Sequence, residues 1–243
     1  LAATVARSTR ALERAGYDHL VVAAGVESYR FLDDNPLPFH ANPQFKAWLP
    51  LTAHPHCWLA FTPGARPLLV YYQPADYWHL PPAAAQGYWT EHFDLRVIGS
   101  PADARAHLPR DLSRAAIIGE AGAALDGVQP NNPPAVLDSL HWARTRKTAY
   151  EVECLRLASF RAVRAHRAAA GAFRLHGSEH QIHRAYCDEV GHTENELPYG
   201  NIVALNAHAA TLHYQYQERA APPQHRSLLI DAGAQVCGYA ADI

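Results

Sequence analysis

Methionine is missing from all 243 residues, so Leu1 is not expected to be an encoded start, and a leading segment is expected to have been removed or left unsequenced. Long apolar runs are missing too. The longest, such as Leu20 to Ala24 and Leu68 to Tyr72, fall far short of the roughly 20 residues that span a bilayer, and no basic segment followed by an apolar one opens the chain. Excess charge is also lacking: 21 Lys and Arg stand against 23 Asp and Glu, for a net charge of -2. That balance provides no long-range field to attract nucleic acid or an anionic membrane, so neither partner is expected. Cysteine is scarce. Cys57, Cys154, Cys187 and Cys237 form no C-x-x-C pair, which argues against a zinc site or a disulfide framework and for buried free thiols in a reducing cytoplasm.

What is present is enough for a core. An apolar content of 49% with 18% charged residues supports one large or two ordinary globular domains. Thr4 to Ala15 has helical character, with Val5, Leu12 and Ala15 on one side and Gly16 as a stop. Strand patterns follow at His19 to Ala24, Cys57 to Phe61, Leu68 to Tyr72 and Ala115 to Gly119. This alternation predicts an α/β domain. The character changes at the basic stretch Arg144, Arg146 and Lys147, which leads into Thr148-Ala-Tyr-Glu151, a capping box. A boundary is therefore placed near residue 144, giving domains 1–143 and 144–243. The capped helix is expected to run to about Leu175 with Val152, Leu155, Ala158, Ala162 and Ala165 or His166 inward. A second capping box, Ser178 to Gln181, begins a helix that ends at Gly191 with Ile182, Ala185 and Tyr186 inward. Most of the 16 histidines, His54, His107 and His225 among them, lie in polar or proline-flanked surroundings that suit surface or structural roles.

Two segments carry chemistry. In the stretch from Leu228 to Asp242, β patterns flank a turn expected at Gln235 to Gly238 and centred between Val236 and Cys237. Symmetric pairing about that centre sets Asp231 opposite Asp242, with Cβ atoms ~5 Å apart on one face. Two carboxylates so close repel unless a cation neutralises them, and a dinuclear site needs one carboxylate that bridges and one that chelates. Spacing leaves open the alternative that one Asp ends a strand and the other faces solvent, with the register off by a residue. In the second segment, Ile202 to Leu205 and Thr211 to Tyr214 read as short strands about a polar turn at Asn206 to His208. His213 there either binds a substrate carbonyl or carboxylate or is a hydrogen-bonded core histidine.

These segments together resemble the pita-bread metallopeptidases, and within them the bacterial Xaa-Pro dipeptidases. In the first half the resemblance rests on Phe31-Leu-Asp-Asp-Asn-Pro-Leu-Pro-Phe39, Asn42-Pro-Gln-Phe-Lys-Ala-Trp-Leu-Pro50 and Asp76-Tyr-Trp-His79. In the second half it rests on Lys147-Thr-Ala-Tyr-Glu151, Pro198-Tyr-Gly-Asn-Ile-Val-Ala-Leu-Asn206, Leu212-His-Tyr214, Ile230-Asp-Ala-Gly-Ala234 and Gly238-Tyr-Ala-Ala-Asp-Ile243.

The resemblance implies a creatinase-like α/β N-terminal domain followed by the first part of an α+β pita-bread domain. It implies two Mn²⁺ ions, with Asp231 chelating one and Asp242 bridging both. These ions lower the pKa of a water and polarise the amide carbonyl before proline. His213 is implied to be a substrate-binding, catalytically required histidine and Tyr199 a pocket tyrosine. Asp34 is implied to reach across a homodimer to pair with the free amino group of a proline-containing dipeptide, with Trp78 either lining the same region or serving as a structural aromatic at the dimer contact. The remaining ligands, one His and two Glu, and the glutamate base match nothing in this chain, so the polypeptide is expected to be an inactive fragment lacking both natural ends. Organophosphorus acid anhydrolase activity on the same scaffold, or a truncated binding or oligomerisation module, are the competing readings; aminopeptidase P fits the Asp33-Asp34 segment less well.

Overall fold

The computed structural model describes residues 1–78, 80–123 and 125–243; the His79 end of the Asp76 to His79 motif lies outside the described residues. The chain divides into two compact units, Leu1–Arg146 and Lys147–Ile243.

The first unit is α/β. It comprises α1 (Ala2–Ala15), β1 (His19–Ala23), α2 (Pro43–Lys46), β2 (Trp58–Phe61), β3 (Leu68–Tyr72), β4 (Asp94–Ile98), α3 (Ala104–His107), β5 (Ala115–Ile118) and α4 (Pro134–Arg144). The strands form one five-stranded sheet in the order β4-β3-β2-β1-β5. The β1–β2 and β2–β3 pairs are antiparallel, while β1–β5 and β3–β4 are parallel. Alternate residues feed two cores. Leu20, Val22, Leu59, Phe61 and Leu69 pack with Leu12, Phe45, Val136 and Leu140; Val21, Ala23, Trp58, Ala60 and Val70 pack with Ala104, Leu108 and Val128 on the other face. Each fully buried Leu or Phe in these layers contributes about 1.5–3 kcal/mol by removal from water. Helix α1 stops at Gly16, whose φ of 74° is open to glycine without strain.

Strand β4 and helix α4 are additions to the sequence reading. β4 is the sheet's edge, with Asp94 and Arg96 paired to each other at 2.9 Å and Val97 exposed, so its pattern is not that of a buried strand. α4 begins at Pro134 directly after Pro133, with no side-chain cap to announce it.

The second unit comprises α5 (Ala149–Arg174), α6 (Glu179–Val190), β6 (Ile202–Leu205), β7 (Leu228–Asp231), β8 (Gly233–Val236) and β9 (Tyr239–Asp242). Both expected capping boxes form, at Thr148 with Glu151 and at Ser178 with Gln181. The buried face of α5 is Glu151, Cys154, Ala158, Ala162, Ala165 and Ala169. Val152 is exposed and Leu155 only half-buried, against the expected inner face. The reason is steric: α6, β8 and β9 all pack on α5, and only an alanine stripe lets three elements approach one helix so closely. Cys57, Cys154 and Cys187 are buried and free, whereas Cys237 is exposed. Among the described residues no helix is long and apolar enough to cross a membrane.

Candidate active site

The hairpin carrying the two aspartates is built around a two-residue turn. Cys237 and Gly238 have φ of 52° and 81°, the positive pair of a type I′ turn, whose twist matches that of the flanking strands. The turn is therefore centred between Cys237 and Gly238, one residue later than expected. Pairing shifts by two: Asp242 faces Gly233, and Asp231 faces Ile202 of β6. The two aspartates are not directly opposed. A shift of two preserves the side-chain face, however. Ala234 and Ala241 pair on the side buried against α5, which leaves Gly233 and Asp242 on the other.

Tyr199 joins the two carboxylates. Its hydroxyl donates to Asp242 Oδ1 at 2.8 Å and also interacts with Asp231. Burial first, then the carboxylates of Asp242 and Asp231, hold the phenol above its ordinary pKa, so it remains a hydrogen-bond donor at neutral pH. Gly233 makes room for this arrangement. A Cβ there would overlap the Ala241 carbonyl oxygen, Tyr199 Cε1 at 2.8 Å and Pro198 Cγ at 2.9 Å. Behind the strands, His166 on α5 hydrogen-bonds the Ala232 carbonyl at 3.1 Å, fixing the backbone between Asp231 and Gly233.

One atom is left over. Asp231 Oδ1 is buried and has no hydrogen-bond partner, a costly condition for a carboxylate oxygen. Two carboxylates with such an oxygen form a hard-oxygen donor set, suited to a divalent cation of the Mg²⁺ or Mn²⁺ kind. Among the described residues no group of three or more His, Cys, Asp or Glu side chains is poised around a common point, so the pair stands by itself.

The other candidate residues are placed differently. His213 is exposed and lies in a turn region after the 3₁₀ segment Asn206–Ala210. The strand expected over Thr211 to Tyr214 does not form; β6 pairs instead with β7, and Leu212 and His213 both face solvent. Asp34 belongs to the first unit, at the exposed tip closed by the Tyr29–Pro36 bridge. Trp78 is likewise exposed in that unit, edge-on to Tyr77 with centroids 5.1 Å apart.

Sequence reasoning missed Glu179. This carboxylate is 1% exposed and accepts four hydrogen bonds, each of 2.8 Å, from the Leu205 N–H, His208 Nδ1, the Tyr214 hydroxyl and the Glu218 N–H. Burial pushes its pKa up, but the four donors outweigh burial and hold it below the usual glutamate range. A glutamate in the first turn of a helix looks like an ordinary dipole partner in sequence, and no local signal marks donors that lie 26 to 39 residues away.

Residues 1–142 match the N-terminal domain of Xaa-Pro dipeptidase. The chain belongs to the Xaa-Pro dipeptidase family. Residues 153–243 match metallopeptidase family M24, so the family is one of metallo-hydrolases. An Xaa-Pro dipeptidase of Xanthomonas campestris pv. campestris (strain B100) is 55% identical over 238 residues, covering 98% of this chain and 54% of the relative. One from Stenotrophomonas maltophilia (strain K279a) is 54% identical over 243 residues, covering 100% and 55%. The chain thus spans about half the length of the curated relatives it matches. Among solved structures, Pseudomonas aeruginosa aminopeptidase PepP aligns with a TM-score of 0.71 at 21% identity, over 98% of this chain and 60% of that one. Aminopeptidase P from E. coli with the inhibitor Pro-Leu aligns with a TM-score of 0.66 at 18% identity, over 98% and 61%. At such identities the likeness concerns the fold: an α/β N-terminal domain followed by part of a pita-bread domain.

Proposed function

We propose that the whole protein is a cytoplasmic, homodimeric dipeptidase that hydrolyses the bond before proline in Xaa-Pro dipeptides, using two Mn²⁺ ions for which Asp231 and Asp242 are two of the ligands. The observation that carries this reading is the pair of carboxylates gathered at the Tyr199 hydroxyl, one with a buried oxygen lacking a partner, in a chain of this family. The region 144–243 is assigned to the catalytic domain and 1–143 to the N-terminal domain. Asp231 and Asp242 would be two of the residues that hold the metal ions; by the family resemblance one His and two Glu, which match nothing in this chain, would complete the set.

When bound, the metal ions would lower the pKa of a water and polarise the scissile carbonyl. The chain's own residues position the rest. Tyr199, held protonated, keeps Asp242 oriented and lines the small substrate pocket. His213 offers an imidazole N–H to the carbonyl or carboxylate of the substrate. Asp34 of the partner subunit pairs with the free amino group, which favours dipeptides over longer chains.

The test compares Mn²⁺-dependent cleavage of a Gly-Pro-type dipeptide by this chain and by a version extended to the length of its relatives. The extended protein should cleave it, and Asp231→Asn or Asp242→Asn in that protein should abolish the activity. Full activity in the 243-residue chain, or in either Asn variant, refutes the ligand assignment.

A further inference from the structure

We propose that Glu179 is a positioning residue that locks the segment from Leu205 to Glu218 in one conformation and thereby holds His213 in its working place. The proposal rests on the reading of His213 given above.

The carboxylate works as a hub. Oε1 accepts from the Leu205 N–H, at the end of β6, and from His208; Oε2 accepts from Tyr214, the neighbour of His213, and from the Glu218 N–H. All four contacts fall within or at the ends of the one segment that carries His213. His208 stacks on Tyr214, with centroids 4.6 Å apart and planes 20° apart, so two of the donors also brace each other. Tyr214 in turn packs with Ile202, Ala204 and Leu229, and Ile202 is the cross-strand partner of Asp231. Tyr214 is thus anchored both by Glu179 and by the small β6–β7 core, and its neighbour His213 depends on that anchoring. His213 itself is exposed. Its position is set by what holds Tyr214.

Chemistry makes the carboxylate hard to replace. His208 can change tautomer and Tyr214 can rotate its hydroxyl, so either could accept a bond from an amide NH₂. The backbone N–H groups of Leu205 and Glu218 cannot. Because one lies on each carboxylate oxygen, a glutamine leaves one of them facing an NH₂ whichever way it is turned. Glu179→Gln is thus a near-isosteric change that releases one end of the segment.

The experiment is a double-mutant cycle in the protein extended to the length of its relatives, loaded with Mn²⁺, with a Gly-Pro-type dipeptide as substrate. Glu179→Gln is expected to lower kcat/KM by on the order of tenfold to a hundredfold, the scale of a displaced positioning group. In a His213→Ala background the same change should have no further effect on kcat/KM, while its effect on the thermal midpoint persists in full. A role confined to stability gives the opposite result: equal losses of kcat/KM in both backgrounds, or none in either, and that overturns the proposal. A silent His213→Ala overturns the proposal and the assignment of His213 together, whereas an active His213 with an independent Glu179 overturns the positioning alone. Should Glu179→Gln not fold, Tyr214→Phe, which removes a single hydrogen bond, enters the same cycle with the same criteria.

Discussion

The Tyr199 hydroxyl donates to Asp242 Oδ1 at 2.8 Å, while its ring occupies the space a side chain on Gly233 would need, directly across the hairpin from Asp242. The aspartate, the tyrosine and the glycine are therefore one unit, and the absence of a Cβ is what lets the ring reach the carboxylate.

Gly233→Ala should show this. The new methyl group meets the Ala241 carbonyl and the Tyr199 and Pro198 rings, and backbone contacts of that kind do not yield easily. Overpacking should cost about 1–3 kcal/mol, read as a lowered midpoint in denaturant, and in the protein extended to the length of its relatives Mn²⁺ affinity should fall with it. A variant as stable as the parent would contradict the close approach.

Tyr199→Phe separates ring from hydroxyl. The ring still covers Gly233, so stability should change little. In the protein extended to the length of its relatives, loss of the donor that orients Asp242, a metal ligand under the proposed function, is expected to reduce Mn²⁺ affinity or kcat/KM by about 10- to 100-fold, the range for groups that orient metal ligands. Calorimetric titration with Mn²⁺ measures it, and unchanged affinity together with unchanged kcat/KM would show that Asp242 needs no such orienting.

Cys237 adopts a φ of 52°, a conformation that penalises most side chains but that asparagine tolerates. Asn-Gly is the preferred pair for a type I′ turn. Cys237→Asn should therefore raise stability by a few tenths to about 1 kcal/mol. It should also abolish rapid labelling by a thiol reagent, since the other three thiols are buried and burial pushes Cys57 up to about 12 and Cys187 up to about 11. Persistent fast labelling in the variant would contradict the burial of those three.

Acid should destabilise the protein in two windows. Burial chiefly lowers the pKa of His183, with Glu194 acting the other way, and burial also lowers His54 and His56. Their folded pKa values lie below the ordinary 6.5, so the unfolded chain takes up protons that the native state excludes, and stability is lost as pH falls below that value. Glu179 is held below the ordinary 4.5 by its donors; its contribution is intact above 4.5 and disappears at lower pH, as its folded value is crossed. Thermal midpoints across pH should fall in both ranges, His183→Gln softening the upper fall and Glu179→Gln the lower. A profile flat between pH 7.5 and 5, about one unit or more on each side of an ordinary histidine pKa, would refute the first window.

Legibility in the sequence followed the range of the interaction. The capping boxes at Thr148 and Ser178 are written within four residues and form as read. Buried strands such as β2 and β3 announce themselves as apolar runs. β4 does not, because an edge strand with paired Asp94 and Arg96 has little apolar face to show. The turn at Cys237-Gly238 was misplaced by one residue because a cysteine at positive φ gives no signal of its own. The alternation at Thr211 to Tyr214 suggested a strand where Tyr214 is instead drawn inward by a carboxylate 35 residues earlier. Tertiary hydrogen bonds of that reach leave no period to detect.

The two-residue turn also constrains how this hairpin can vary among relatives. If the turn kept two residues, a one-residue insertion at this tip would shift the β8–β9 pairing by one, turning Asp242 toward the alanines of α5 and bringing Ala241 out in its place, since side chains alternate along a strand. Adding or deleting two would slide Asp242 along the ribbon but leave it on the Tyr199 side. A turn that lengthens to three or more residues absorbs the change and keeps the pairing, so the register of the ribbon, more than the composition of its tip, decides where Asp242 points.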